Sequence, residues 1–337
     1  MANPNLKSPL TAILSGVGEI FRQGETITPL PPSFRLDGKQ CLITGANSGL
    51  GFALAVDLAK RGAKVWMACR RQIPEAGNQV AKISGSNLVE MIHLDLIDLA
   101  SVDRCCEELK AKNVQIDLLF NNAAAALPAS RFTKQGLEEM CQVNYLAMFY
   151  LTNQLLEKGI IPNQTYAQNG LVEPNEVPRI IFISSDTHRS SKDIDIDALG
   201  YETYDFRTAV QFYGYYKIVM NTYASELAQR LRTAEKIDVS VHTICPGPVN
   251  TNIIKEAPWL VRMLMKLLFL LFFRSPSKAA KPVVYLAAAP ELNQQTDRYL
   301  HYITKKAMDE RCKNPEIRQK LWEKSSALLA AAFAKKA

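Results

Sequence analysis

Two pairs in this chain set a tyrosine four residues ahead of a lysine: Tyr213 with Lys217, and Tyr302 with Lys306. On a helix such positions share a face, so the two side chains can point together at one ligand. A phenol with its ordinary pKa of about 10 is a poor proton donor or acceptor at neutral pH. A neighbouring ammonium favours the phenolate and lowers that value, which makes the phenol a usable general acid or base. The chemistry implied is proton exchange with a developing alkoxide while a hydride moves at the carbonyl carbon. Position separates the two pairs. Tyr213 lies in a long helical stretch after a buried, strand-like run, whereas Tyr302 falls past a Pro-Gly-Pro loop at the end of the last such run.

A hydride carrier needs a phosphate cradle. Thr44-Gly45-Ala46-Asn47-Ser48-Gly49-Leu50-Gly51 joins a strand-like run to a helical one and offers that cradle. Glycines let the backbone turn sharply and approach a pyrophosphate, and the helix N-terminus presents free N–H groups. About 20 residues on, a carboxylate would hold a ribose 2′-hydroxyl. Here Cys69, Arg70 and Arg71 stand instead. A carboxylate repels a 2′-phosphate and a guanidinium binds one, so NADP(H) is expected over NAD, with Arg70 as its contact.

The GxxxGxG spacing, together with Asn121-Asn122-Ala123-Ala124 and the Tyr-Lys pair, resembles the short-chain dehydrogenase/reductase family. The likeness covers about residues 38 to 303 and implies a catalytic set of Asn144, Ser185, Tyr213 and Lys217, with Ser185 preferred over Ser184. In that set Ser185 holds the substrate oxygen, Lys217 the nicotinamide ribose, and Asn144 a water relay. The resemblance also implies cofactor contacts at Gly45, Asn47, Ser48, Gly49, Leu50, Gly51, Asp95, Leu96, Asn122 and Ala123. Pro246, Gly247, Val249 and Thr251 match the family's loop over the nicotinamide. Ala124 departs from the pattern by replacing a glycine. Narrower stretches, Ala68-Cys69-Arg70, Phe273-Arg274-Ser275-Pro276 and Leu321-Trp322-Glu323-Lys324-Ser325, are similar to retinol dehydrogenase-like members. Ser185 and Tyr213 are 28 positions apart, wider than is common in the family, and the insert Asp186 to Phe212 is expected at the substrate rim.

The elements that must position these residues are legible as an alternation. Strand-like runs occupy Gln40–Thr44, Lys64–Cys69, Leu88–Leu94, Asp117–Phe120, Arg179–Ser184, Val239–Cys245 and Arg298–Ile303. Helical runs lie at Gly49–Arg61, Ser101–Lys110, Lys134–Glu157 and Thr208–Arg232. Strand and helix in alternation mean a parallel sheet with right-handed crossovers and helices on both faces. The strand runs are continuously apolar, as a sheet covered on both sides requires. The expected fold is α/β, a single Rossmann-type doubly wound sheet of about seven strands.

At 337 residues, 47% hydrophobic and 22% charged, the chain can bury a large core without disulfides or metals. Mean hydropathy of −0.08 excludes a polytopic membrane protein. The net charge of +7 is spread along the chain and marks no nucleic-acid surface. Seven cysteines without a CxxC pattern and four scattered histidines point to no disulfide framework and no metal site. A reducing, cytoplasmic location is expected, since the N-terminus lacks the pattern of a secretory signal.

The catalytic domain is expected over 38–310. Residues 1–37 form an arm with an amphipathic stripe (Leu10, Ile13, Leu14, Val17, Ile20, Phe21) and a proline-rich connector; 311–337 form a C-terminal helical extension. The arm reads as a docking helix or a membrane-surface anchor. Ala257 to Phe273 is almost wholly apolar, within an expected lid at 254–274. A lid over an apolar substrate, a membrane-surface helix and an oligomer contact such as a homodimer all fit it. The expected activity is NADP(H)-dependent interconversion of a hydrophobic alcohol (retinoid, steroid or lipid-like) and its aldehyde or ketone. The alternatives are a C=C reductase of the same fold and a non-catalytic NADP-binding scaffold.

Overall fold

The computed structural model describes residues 25–166, 176–249 and 274–334. The first 24 residues, Thr251 and all but the last residue of the 254–274 segment lie outside the described residues.

Eight strands form one sheet in the order β3-β2-β1-β4-β5-β6-β7-β8. They are β1 (Gln40–Thr44), β2 (Lys64–Cys69), β3 (Val89–His93), β4 (Leu118–Asn121), β5 (Arg179–Ile183), β6 (Ser240–Cys245), β7 (Arg298–His301) and β8 (Thr304–Lys305). All neighbours pair parallel except β7 and β8. β8 is the addition to the expected seven. Two residues carry no alternation to read, and the tight reversal at Tyr302, whose φ is +54°, sets it against β7. Tyr302 therefore sits in a turn, not on a helix, and Lys306 makes an ion pair with Asp186.

The helices are α1 (Gly49–Lys60), α2 (Glu75–Ser84), α3 (Leu99–Ala111), α4, α5 (Ala209–Arg230), α6 (Pro276–Ala288) and α7 (Pro315–Ala334). The expected helix from Lys134 is shorter and not uniform: α4 runs Glu139–Cys141, passes through a π-helical turn at Gln142–Leu146, and continues as Ala147–Glu157. The Thr133 hydroxyl donates to Gln142, and Gly136 adopts φ +76°, so the residues before Glu138 are a turn that caps the helix. α2 escaped the sequence reading because it buries only Ala76, Gly77 and Val80, too narrow a stripe to stand out.

Strand residues alternate between two cores. Leu42, Trp66, Leu119, Ile180 and Phe182 face α3, α4, α5 and α7, whereas Cys41, Ile43, Val65, Phe120 and Ile181 face α1, α2 and α6. Both faces are covered, which is why the runs are apolar throughout. The C-terminal helix belongs to the first core: Leu321 and Leu328 are buried there, and Trp322 packs edge-on against Phe149 at 5.1 Å. At the other end, Thr26 bridges Thr304 and Ile27 donates to Ile303, which ties the arm's last residues to β8.

Candidate active site

A cleft of about 1000 Å³ opens at the C-terminal ends of the strands, around the point where the order reverses between β1 and β4. Gly45, Asn47, Ser48, Gly49, Leu50, Gly51, Arg70, Asp95, Leu96, Asn122, Ala123, Tyr213, Lys217, Pro246, Gly247 and Val249 all line it. Asn144 and Ser185 are not among the residues that line it.

The loop after β1 is shaped for close approach. Gly45 and Gly49 have φ of +66° and +59°, where a side chain would be strained. A Cβ on Gly51 would lie 2.5 Å from both the Gly45 carbonyl and the Asn122 amide. Ser48 caps α1 without a side-chain hydrogen bond, so the helix N-terminus faces the cleft without a side-chain anion of its own. Asn122 also has a structural part. Its amide donates to the Thr44 carbonyl at 2.8 Å, while the Thr44 hydroxyl accepts from the Asn122 and Ala123 N–H groups at 3.0 Å. The loop after β4 is thereby bonded to the loop after β1. A dinucleotide pyrophosphate fits this cradle by the free helix terminus and the missing Cβ atoms.

At the end of β2, burial pushes the Cys69 thiol up to about 11, so no anion stands there. Arg70 and Arg71 both line the cleft. Arg70 is 3.6 Å from Asp95, whose carboxylate also accepts the Ile97 N–H. Asn47 donates to Gln72 at 2.8 Å and fastens the glycine loop to the arginine turn.

Tyr213 and Lys217 share one face of α5, with the Lys217 ammonium 5.6 Å from the centre of the Tyr213 ring. Lys217 is buried and donates to the Ile183 carbonyl at 2.8 Å. Loss of solvent pushes its pKa down to about 8 and holds the Tyr213 phenol well above its usual range. The expected lowering of the phenol by the ammonium is outweighed here by burial. The Ser185 hydroxyl accepts from the Thr187 hydroxyl at 2.9 Å and from the Thr187 N–H at 3.4 Å. Asn144, in the π-helical turn, bonds both backbone groups of Ala125, accepting from its N–H at 2.7 Å and donating to its carbonyl at 2.8 Å. Its amide fixes the loop after β4, a backbone-holding part that residue type alone does not reveal.

Other lining residues went unnoticed in the sequence. Val210 lies on the Tyr213 face of α5 one turn earlier and, with exposed Phe206, lines the cleft from the insert. The spacing Val210, Tyr213, Lys217 was the available signal. Arg131 and Glu139, joined at 2.6 Å, line the opposite wall.

A dinucleotide cradle that opens onto a tyrosine–lysine pair defines a dehydrogenase or reductase of Rossmann type. The sequence pattern of the short chain dehydrogenase family matches residues 39–190. The chain is 32% identical over 317 residues to retinol dehydrogenase 14 of Homo sapiens, with 87% of each covered. It is 31% identical to polyprenol dehydrogenase of Homo sapiens, across 84% of this chain and 83% of that one. An uncharacterised protein of Mycobacterium paratuberculosis superimposes with a TM-score of 0.66 at 26% identity, over 91% of this chain and 97% of that one. The chain belongs to the short-chain dehydrogenase/reductase family, an oxidoreductase family whose fold binds a nicotinamide cofactor.

Replacing Asn144 by Ala leaves the Ala125 N–H and carbonyl without their partner. Each unmatched buried group costs about 1–3 kcal/mol. Urea unfolding of Asn144→Ala is expected to show a loss of that size; an unchanged midpoint would refute the role.

Proposed function

We propose that the protein is an NADP(H)-dependent oxidoreductase that interconverts an apolar alcohol and its aldehyde or ketone, with Tyr213 as general acid and base. The observation that carries this reading is the placement of Tyr213 and Lys217 on one face of α5, opening onto the same cleft as the glycine loop. The bound nicotinamide supplies the hydride.

This chain's residues supply position and a proton. The burial that raises the Tyr213 phenol keeps its proton in place, so it can be given to an alkoxide forming in the cleft. Lys217, held by the Ile183 carbonyl, keeps a positive charge beside the phenol and stabilises the phenolate left behind. Ser185 has its own O–H to donate to the substrate oxygen, its acceptor side being taken by Thr187. Asn144 holds Ala125, and with it the cleft wall that follows β4.

Cofactor choice rests on charge. Cys69 is neutral where a carboxylate would favour NAD, and Arg70 and Arg71 face the same end of the cleft. The substrate class rests on the walls. Leu127, Pro128, Phe206, Ala209 and Val210 line the cleft, and Phe206 and Val210 are exposed there, as large apolar side chains are at a binding surface. Val249, which lines the cleft, bridges Arg274. Retinol and polyprenol, named in two relatives, are apolar alcohols of the class this cleft suits. Such substrates partition into bilayers. Among the described residues no helix is long and apolar enough to cross a membrane; the proposed contact with a bilayer is peripheral.

The test is NADPH consumption with all-trans-retinal, a steroid ketone and a long aliphatic aldehyde. Tyr213→Phe is expected to lower kcat by about 10²- to 10⁴-fold while NADPH affinity holds; full activity in that variant would sink the mechanism. Arg70→Asp removes charged hydrogen bonds of about 1.5–3 kcal/mol, or about 10- to 100-fold in NADPH affinity. NADH affinity should hold, and an unchanged preference would reject the arginine argument.

A further inference from the structure

The stretch between Ser185 and Tyr213 is long, so the chain itself cannot set how those two side chains meet. Something non-covalent must seat the Ser185 end against α5, and two features on either side of it do so.

The first is Gly214, next to Tyr213. A Cβ there would stand 2.7 Å from the Thr187 carbonyl oxygen and 3.2 Å from its carbon, both backbone atoms. The Ser185 turn, a 3₁₀ helix over Asp186–Ser190, therefore lies directly on α5 at the residue beside the reacting phenol. Thr187, whose carbonyl makes that contact, is also the residue whose hydroxyl and N–H hold the Ser185 oxygen.

The second feature is a clamp from behind. The Asp186 carboxylate accepts from Arg189 at 3.0 Å, from the Tyr299 hydroxyl at 3.0 Å and from Lys306 at 2.9 Å. Its N–H donates to the Cys245 thiol at 3.2 Å, at the residue before the Pro246-Gly247 loop. Arg311, gripped by both oxygens of Asp309, donates to the carbonyls of His188, Arg189 and Ser191. These partners beyond the turn come from β6, β7 or the segment after them. An ion pair of this kind costs desolvation that only good geometry offsets, and this carboxylate has three donors to fix it.

We infer that Asp186 and Gly214 are positioning residues that fix where Ser185 stands relative to Tyr213, the clamp pressing the turn against the one place on α5 without a side chain. This rests on the proposed role of Ser185 and Tyr213. Asp186 acts through Ser185 and is not among the residues that line the cleft. Adding a methyl at Gly214 displaces the turn by the overlap it creates, and removing the Asp186 carboxylate frees it. A misplacement of about 1 Å can cost about 10²-fold in rate.

The experiment compares Asp186→Ala, Asp186→Asn, Gly214→Ala, Ser185→Ala and the Ser185→Ala/Asp186→Ala double variant. NADPH affinity and melting temperature are read beside kcat and KM. Asp186→Ala and Gly214→Ala should lower kcat about 10- to 100-fold with NADPH affinity kept. Asp186→Asn, which keeps an acceptor for Tyr299, should recover part of the rate. The double variant should be no slower than Ser185→Ala alone, because residues that act as one unit are not additive. A readout without turnover is amide exchange over 185–191, which should quicken in Asp186→Ala. An unchanged kcat in both Asp186→Ala and Gly214→Ala, or a double variant showing the full product of the single losses, would overturn the inference. If Asp186→Ala does not fold, Asp186→Asn paired with Ser185→Ala gives the same comparison. An active Tyr213→Phe would defeat the proposed function instead, and the exchange result would then decide the clamp alone.

Discussion

A charged lysine taken out of water at the mouth of a sheet is the constraint that the rest of this molecule answers. Lys217 is buried, with the Ile183 carbonyl at 2.8 Å as its hydrogen-bond acceptor, and its pKa falls to about 8. Burying an ammonium is costly, and a single carbonyl offsets only part of that cost. The position is tolerable because it stands at a strand end, where the cleft brings a phenol and room for a polar ligand. Strain of this kind gathers at sites that use it. The same burial that lowers the lysine raises the tyrosine, so the phenol keeps its proton beside an ammonium.

From that pair outward, each layer fixes the next. α5 sets Tyr213 and Lys217 on one face, and Gly214 lets the Ser185 turn lie against it. Asn144, aimed inward by the π-helical turn of α4, holds Ala125 by both of its backbone groups. Thr44 and Asn122 join the loops after β1 and β4, which fixes the two sides of the cradle relative to each other. The residues after β6 then close the back: Tyr299, Lys306 and Arg311 reach the Ser185 turn. The C-terminal part of the chain thus takes part in the site's geometry, although none of those three side chains lines the cleft.

Much of this was written in residue types and spacing. Glycines at fixed offsets, the change from apolar runs to helical periodicity, and a Tyr-Lys pair after the fifth run pointed to a doubly wound parallel sheet with a cleft at its strand ends. Those signals are local, and backbone geometry makes them strong. What was not legible depends on atoms far apart in sequence. The Asn144 amide bonds both backbone groups of Ala125, a contact that residue type does not announce. Tyr302 and Lys306 repeat the spacing of Tyr213 and Lys217, and the turn between β7 and β8 shows that they do not share a helix face. α2 and the π-helical turn of α4 carry too weak a pattern to be seen beforehand. Thr251 and the apolar run 257–273 lie outside the described residues, so the expectations placed on them stand as sequence readings.

The central claim is that a buried lysine, charged at neutral pH, supports proton donation by Tyr213. It is tested most directly by the pH dependence of kcat/KM for carbonyl reduction between about pH 6 and pH 10. Because the folded pKa of Lys217 lies below its ordinary value, its charge is lost as pH rises through that lowered point. The account predicts that the rate is level at neutral pH and falls with a midpoint near about 8. A rate that stays level or rises through that range would contradict it.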